Sequence, residues 1–226
     1  MDYHLRPKLA YYAIKRELAS LTIGLKRTTT TIFPPDNKYS RIPLETTHKI
    51  ALWATNLSIQ TRSVNVSIKA FDVISGAEIY HATVGENIFL PANRTIEVTE
   101  FDVPVRETDH QCKGTHMKTV VAAYVHDPSS GNQLARYVNW PDPLKYVPLQ
   151  RPKQLRIRIV PDTGGIEVSA EVPVKGVTLE SVDEKKDRLV WADNCVDVVP
   201  GETVVLRAKG LVVGEEDKVK VRYLGL

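Results

Sequence analysis

Apolar residues at alternate positions dominate this chain beyond its N-terminal segment, and such alternation is typical of strands with one buried face. Turn-forming groups separate the alternating runs at Ser75-Gly76, at 91–93 and at 127–131. Since no helical pattern lies between the runs, the sequence predicts an all-β fold built from antiparallel sandwiches. The residues predicted to be buried are Val64, Val66, Ile68, Ala70, Ile96, Val98, Val120, Ala122, Tyr124, Leu155, Ile157, Ile159, Ile166, Val168, Ala170, Val172, Val204, Leu206, Ala208, Val219, Val221 and Tyr223.

The N-terminal segment has a different period. Residues 7–19 open with Pro7, which suits the first position of a helix, and Gly24 is expected to close the segment. Spacings of three and four place apolar residues on one face of this predicted helix. Those residues are Tyr11, Ile14, Leu18 and Leu21. A single short helix needs a surface to pack on, because it is not stable by itself.

Two stretches lack the alternation and divide the chain into domains. Residues 27–45 contain a run of threonines and a proline pair, which predicts a linker. Residues 140–153 contain four prolines, and proline cannot donate to a sheet ladder, so this stretch predicts a connector. The predicted organisation is a helix and exit segment at 1–26, the linker, a first sandwich at 46–147 and a second at 148–226.

Composition excludes several classes of function. A net charge of +3 on 226 residues is too small to indicate a nucleic-acid or anionic-membrane partner. Apolar runs all fall short of the roughly 18 residues that a membrane span needs, and the first residues do not resemble a secretory signal. The two cysteines cannot form a disulfide framework, so we expect apolar burial to stabilise the fold.

One short motif offers metal-ligating side chains. His110, Cys112 and His116 place three ligands within seven residues, and Asp109 could complete a set of four. Structural zinc sites usually draw their ligands from two paired clusters, and a second cluster does not follow in the sequence. We therefore interpret this stretch as a polar loop and predict that the chain needs no cofactor.

Catalytic patterns are equally weak. The sequence has nothing like the strained G-x-S-x-G turn, and neither Cys112 nor Cys195 has a positioned base nearby. Cys195 lies at a strand-like position and is expected to be a small buried hydrophobe. Acidic pairs on sandwich strands usually belong to the solvated face, so the sequence predicts no catalytic residues, no cofactor-binding residues and no metal-binding residues. The pairs considered are Glu97 with Glu100 and Asp193 with Asp197.

Tryptophans and glycosylation sequons leave a binding role open. An exposed tryptophan on a sheet face would suit a carbohydrate-binding module, but all three tryptophans stand among apolar residues or prolines, so packing is the favoured interpretation. The tryptophans are Trp53, Trp140 and Trp191. Sequons begin at Asn56, Asn65 and Asn93, and they matter only if the chain enters the secretory pathway.

Three phrases of the sequence are distinctive when they are taken together. They are residues 6–18, RPKLAYYAIKREL, residues 139–146, NWPDPLKY, and residues 191–202, WADNCVDVVPGE. The chain that contains them resembles the C-terminal region of glycoside hydrolase family 2 β-mannosidases, most closely the fungal intracellular type. In that family the first phrase resembles the last outer helix of the (β/α)8 barrel, the second the connector between two immunoglobulin-like domains, and the third the D-N-x-x-D-x-x-P-G-E phrase of the final domain. The phrases occur in the family's order, and the resemblance covers essentially the whole chain.

The resemblance implies a function in which this chain takes an accessory part. The catalytic barrel of such an enzyme removes terminal β-D-mannose by means of two glutamates, and the resemblance implies that neither lies in these residues. We therefore expect two non-catalytic immunoglobulin-like domains that cannot hydrolyse a mannoside alone, with the barrel as partner and a cytoplasmic location. The alternatives are a stand-alone module that binds a mannan-type carbohydrate through Trp53 or Trp140, and a protein-interaction module. A barrel helix without its barrel also predicts an exposed apolar stripe.

Overall fold

The computed structural model describes residues 7–35, 45–104, 118–160, 165–182, 189–212 and 214–225. Within these ranges, none of the helical segments has the length and apolar character needed to cross a bilayer. The elements are α1 Leu9–Glu17, β1 Leu21–Ile32, β2 Glu45–Asn56, β3 Arg62–Asp72, β4 Glu78–Leu90, β5 Arg94–Asp102, β6 Thr119–His126, β7 Gln133–Asn139, β8 Arg156–Val160, β9 Gly165–Ser169, β10 Val174–Ser181, β11 Val190–Trp191, β12 Val196–Val198, β13 Val204–Lys209 and β14 Val219–Leu224.

The first sandwich contains strands β1 to β7. A three-stranded sheet in the order β1-β2-β5 and a four-stranded sheet in the order β4-β3-β6-β7 contribute side chains to one buried cluster. Strand β1 pairs with β2, β2 with β5 and β6 with β7, and all three pairings are antiparallel. Strand β3 follows the predicted alternation, since Val64, Val66, Ile68 and Ala70 are all buried.

Strand β6 departs from the predicted alternation. Every residue from 119 to 125 is buried, so both faces of this strand are covered. A strand covered on both faces has a continuous apolar sequence rather than an alternating one. The run Thr-Val-Val-Ala-Ala-Tyr-Val fits that description, and the prediction of Val120, Ala122 and Tyr124 as the buried face named only half of it.

The second sandwich contains strands β8 to β14 and has a core of its own. A three-stranded sheet in the order β12-β10-β14 faces a four-stranded sheet in the order β11-β13-β9-β8. Among its buried side chains are Ile166, Val168, Leu179 and Leu206. The predicted all-β class with immunoglobulin-like sandwiches and one preceding helix is therefore confirmed.

The predicted linker at 27–45 is wrong in its first part. Strand β1 runs to Ile32 and pairs with β2 residue by residue, from Leu21 opposite Asn56 to Ile32 opposite Glu45. Threonine is β-branched and fits a pleated, half-exposed surface, so the threonine run continues a strand instead of connecting domains. The other predicted domain bounds stay predictions.

The helix is also shorter than its predicted span of 7–19. It begins at Leu9 and ends at Glu17, and β1 begins four residues later, at Leu21. Leu21 therefore lies in the core of the first sandwich and not on the helical stripe, and Gly24 lies within β1 instead of closing the helix. Leu21, Ile23 and Leu25 alternate with period two, which is the signal that the helical interpretation of Leu21 overlooked.

The chain forms two compact units. One comprises Ala19–Ala70 and Ile79–Val147, and the other comprises Met1–Leu18, Phe71–Glu78 and Pro148–Leu226. The short segment from Phe71 to Glu78 thus groups with the second sandwich.

Within the unit that contains the second sandwich, the main chain at Gly76 lies very close to the main chain at Glu171. Gly76 has a φ of 71°, and a Cβ built on it would lie 1.9 Å from the main-chain oxygen of Glu171. Only glycine satisfies both conditions, because other residues are strained at positive φ and would add an atom where main chain already lies.

We predict that Gly76→Ala destabilises the protein more than Gly131→Ala. Gly131 has nearly the same φ, 69°, but open space around its Cβ position, so it is the matched control. Strain alone should cost about 1 kcal/mol at Gly131, whereas overlap with main chain should raise the cost at Gly76 to about 2–4 kcal/mol. Urea denaturation followed by circular dichroism measures both, and equal losses would contradict the close approach.

Candidate functional site

Helix α1 lies on the second sandwich through one of its faces. Tyr12 is only 3% exposed, although the helix has nine residues. Four residues later and on the same face, Arg16 contacts a turn that precedes β12. We call residues Ala192, Asp193, Asn194 and Cys195 the acceptor turn, because its oxygens accept hydrogen bonds from the helix.

The Arg16 guanidinium reaches three acceptors at once. Its Nη1 donates to Asp193 Oδ1 at 2.5 Å and to the Asn194 carbonyl at 2.9 Å, and its Nη2 donates to the Cys195 carbonyl at 2.8 Å. Lys15 adds a fourth contact, since its Nζ donates to the Ala192 carbonyl at 2.7 Å. Charge-assisted bonds of this kind are stronger than neutral ones, and the planar guanidinium suits several acceptors in a fixed arrangement.

The side chain of Asn194 stabilises the acceptor turn by hydrogen bonds to main-chain groups. Its side chain is almost fully buried and bonds to both main-chain groups of Leu179 in β10: Oδ1 accepts the N–H at 2.9 Å and Nδ2 donates to the carbonyl at 2.8 Å. Oδ1 also accepts the N–H of Cys195 at 2.9 Å. The amide therefore acts as a strand partner for Leu179 and fixes the turn, while Cys195 adopts a φ of 53°.

The rest of the D-N-x-x-D-x-x-P-G-E phrase is structural as well. Asp197 accepts the N–H of Gly176 at 2.8 Å, at an irregularity in β10 where Gly176 has a φ of 64°. Glu202 accepts the N–H of Val199 at 3.2 Å across the turn that contains Gly201, whose φ is 77°. Each polar residue of the phrase thus satisfies a main-chain or helix donor.

The acceptor turn also affects the helix electrostatically. Burial raises the pKa of the Tyr12 phenol, and the negative charge of Asp193 and the neighbouring Tyr11 raise it further. Tyr12 is consequently neutral at ordinary pH, as a buried phenol next to a carboxylate should be.

The opposite face of the helix is apolar and exposed. Tyr11, Ile14 and Leu18 are 47%, 58% and 71% exposed. At 100° per residue, Tyr11 lies about 140° around the axis from Arg16, and Ile14 and the C-cap residue Leu18 lie about 160° from it. Three of the four residues predicted for an exposed stripe are therefore exposed, and Leu21, which lies in β1, is the exception. We call Tyr11, Ile14 and Leu18 the apolar face of α1.

A family model describes residues 48–146 as a mannosidase Ig/CBM-like domain. The match covers somewhat less than half of the chain, and we call residues 48–146 the Ig/CBM-like domain. They include most of the first sandwich, from β2 to the connector that follows β7.

Relatives extend the match over the whole chain. The chain is 45% identical over all of its 226 residues to "Beta-mannosidase B" of Thermothelomyces thermophilus, and 30% identical to "Beta-mannosidase B" of Emericella nidulans. The chain spans about a quarter, 25%, of the length of each of these relatives. In fold it is similar to the β-D-mannosidase of Dictyoglomus thermophilum, with a TM-score of 0.69 and 14% identity, covering all of this chain and 24% of that one. The resemblance to family 2 β-mannosidases, and to their accessory Ig/CBM-like region, is confirmed.

The three tryptophans have different surroundings. Trp140, which follows the Ig/CBM-like domain's last strand, is buried at 7% exposure, and Trp191 packs partly against the second core, so both fit the packing interpretation. Trp53, in the Ig/CBM-like domain, is 38% exposed on the outer face of β2. Packing therefore describes Trp53 only in part.

Three of the four acidic residues considered in the sequence have basic or main-chain partners. Asp193 bonds to Arg16, whereas Asp197 bonds to Gly176 and lies 3.3 Å from the Nζ of Lys175. Glu100 pairs with Lys49 at 3.0 Å, and that contact raises the pKa of Lys49. The described residues contain no group of three or more histidine, cysteine or acidic side chains that could hold a metal ion. The H-x-C-x3-H motif, His110 to His116, lies outside the described residues, as does Asp109.

Other candidates differ from their predictions in detail. Cys195 is not buried: its free thiol is half-exposed because the residue lies in the acceptor turn and not in a strand. Asn56 is fully buried and donates to the carbonyls of Gln60 and Leu90, which leaves that sequon inaccessible in the folded chain. Asn65 bonds to the N–H of Asn87.

Sequence reasoning did not predict the contacts of Lys15 and Arg16 with the acceptor turn. The available signal was the spacing of Tyr12 and Arg16, which places an aromatic and a basic residue on one helical face. Their partners are distant in sequence, and the sequence alone does not connect the acceptor turn with the helix.

We predict that Asn194→Ala destabilises the second sandwich by about 2–4 kcal/mol, because it leaves the N–H and the carbonyl of Leu179 buried without a partner. Thr203→Ala, at an exposed position of the same sandwich, should change the free energy of unfolding by less than about 0.5 kcal/mol. Thermal unfolding measures both variants. A small effect at Asn194 would show that water replaces the amide, and it would contradict the role of Asn194 as a strand partner for Leu179.

Proposed function

We propose that this chain supplies the non-catalytic accessory domains of a glycoside hydrolase family 2 β-mannosidase. The observation that supports this function best is the match of the whole chain to one quarter of β-mannosidase B. The parent enzyme would hydrolyse terminal β-D-mannose residues of manno-oligosaccharides and N-glycan-type glycans, and its two catalytic glutamates would lie in the remaining three quarters. The accessory domains would bind and position that catalytic part.

The apolar face of α1 supports the catalytic barrel as the partner. Three large apolar side chains at adjacent helical positions form the kind of surface that usually packs against protein. Arg16, on the other side of the helix, is bonded to the acceptor turn, so the apolar face points away from that contact and can pack on a second surface. In a (β/α)8 barrel the outer helices pack their apolar stripe on the strands, and Tyr11, Ile14 and Leu18 have the spacing for that packing.

We propose a cytoplasmic location for the parent enzyme, in line with the fungal intracellular type. The burial of Asn56 is consistent with the absence of a glycan at that one sequon. Glycans found on Asn65 or Asn93 by mass spectrometry of the native protein would contradict this location.

Complementation tests the accessory role. We expect the chain alone not to hydrolyse an aryl β-mannoside, and we expect it to restore hydrolysis to β-mannosidase B of Thermothelomyces thermophilus from which the matching quarter has been removed. Ile14→Gln combined with Leu18→Gln should raise the concentration for half-restoration at least about tenfold, because two apolar contacts are lost.

Glu17→Gln is the matched control, since Glu17 is an exposed residue of the same helix outside the apolar face. Its half-restoring concentration should equal that of the unaltered chain. Hydrolysis by the chain alone that one substitution abolishes would refute the accessory role. Equal restoration by the double variant would refute docking through the apolar face.

A second function, carbohydrate binding, is favoured by the surroundings of Trp53. Trp53 lies between two neighbours across the sheet, Gly24 in β1 and Glu97 in β5. The space where a Gly24 side chain would lie is open. Thr55 and Thr95, whose hydroxyls lie 3.0 Å apart, form a polar row next to the ring. An aromatic ring beside hydroxyl and carboxylate groups is suited to stack on a sugar and to bond its hydroxyls. We propose a mannan-type polysaccharide as the ligand of this face.

Affinity electrophoresis in gels with mannan measures that binding. Trp53→Ala should abolish retardation, and Gly24→Val should do the same by covering the ring while the tryptophan remains. Tyr80→Ala is the control, because Tyr80 is an exposed aromatic on β4, in the other sheet of the same sandwich. Retardation that survives both substitutions near Trp53, or that is absent from the unaltered chain, would exclude this face as a binding site.

A further inference from the structure

Helix α1 needs an external attachment to stay folded. A helix of nine residues is marginal in water, and Tyr12 is its buried residue. The basic residues in its last turn favour the negative end of the helix dipole, but that effect is small at an exposed helix end. The contacts of Lys15 and Arg16 with the acceptor turn are therefore the main polar contribution to its position.

The acceptor turn is held by hydrogen bonds that do not involve the helix. Two of them join the Asn194 side chain to Leu179 in β10, and in a third the same side chain accepts the N–H of Cys195 within the turn. The Asp193 carboxylate accepts the N–H of Asn194 at 2.8 Å, which orients the oxygen that Arg16 contacts. Two carbonyls and one carboxylate oxygen thus face the same guanidinium without further ordering of the turn, and such preorganisation lowers the cost of binding.

The three acceptors select arginine. A guanidinium presents several donors in one plane, so Nη1 can serve two oxygens while Nη2 serves the third. A lysine ammonium is a single point and cannot keep the same separation of donors. Asp193 and Arg16 are each about one-third exposed, so the charge attraction alone is partly screened and the geometry of the three bonds matters more.

We propose that the acceptor turn is the docking site by which the second sandwich positions helix α1, with Arg16 as the positioning residue. The inference rests on the proposed function, because α1 resembles a helix of the catalytic barrel. The second sandwich then contacts one face of a barrel helix while the barrel packs on the other. An interaction surface of the final domain is thereby assigned to the turn of the D-N-x-x-D-x-x-P-G-E phrase.

Hydrogen exchange of the full chain tests this docking. In Arg16→Ala we expect the amides of the helix to exchange about tenfold faster, while the strands of both sandwiches keep their exchange rates. Arg16→Lys should show most of the same acceleration, since the charge remains but the three-bond geometry is lost. Arg158→Ala is the matched control: it removes a surface ion pair with Glu167 in the same sandwich and should leave the helix unchanged.

Asp193→Asn separates docking from folding. This variant keeps the size of the side chain and removes its charge, so helix exchange should rise by less than in Arg16→Ala while the strands stay protected. If Arg16→Ala also accelerates exchange in the strands, Arg16→Lys and Asp193→Asn decide the outcome. Helix exchange at the unaltered rate in both would overturn the proposal. Because a catalytic domain is absent from this measurement, its result is independent of the complementation experiment.

Discussion

Three buried asparagines show the constraint on which both sandwiches depend: a main-chain polar group that loses water must find a partner. Asn56 at the end of β2 donates to main-chain carbonyls of the following turn and of β4. Asn139 at the end of β7 bonds to the carbonyl of Leu25 and to Arg27, whose own pKa is lowered to about 10 by burial. Asn194 does the same for Leu179 in the second sandwich. Each amide lies where a sheet ladder stops. Leaving one such main-chain group unpaired would cost about 1–3 kcal/mol, which is comparable to the gain from burying one apolar side chain.

The same constraint explains how an accessory domain can present a binding surface with a defined geometry. Once Asn194 has fixed the acceptor turn, the carbonyls of that turn have a definite direction, and a basic side chain can bind to them. Helix α1 then has two unlike faces, one polar and fixed to the sandwich, one apolar and exposed. A β-mannosidase with this organisation would connect its final domain to its catalytic part through a helix that belongs structurally to both.

The sequence predicted the fold class, the resemblance and many strand faces, because local alternation contains that information. Val64 to Ala70 is an example in which period two and burial agree residue by residue. Strand β1 was missed because threonines suit both linkers and strands, and its partner β2 is needed to decide. The contacts of Arg16 and Asn194 could not be predicted, since they depend on residues far away in the chain. Leu21 shows how one apolar residue can satisfy a helical and a strand pattern at once.

Two of the three oxygens that Arg16 contacts are main-chain carbonyls, and every amino acid has one. Substitution of Cys195 by glycine or asparagine, which adopt positive φ readily, would leave the oxygen in place. The contact between Arg16 and the acceptor turn can therefore persist while the amino acids of the turn change during evolution. Divergent relatives that retain it should be recognised by the path of the main chain and by one arginine, and alignments that score side-chain identity alone would overlook them.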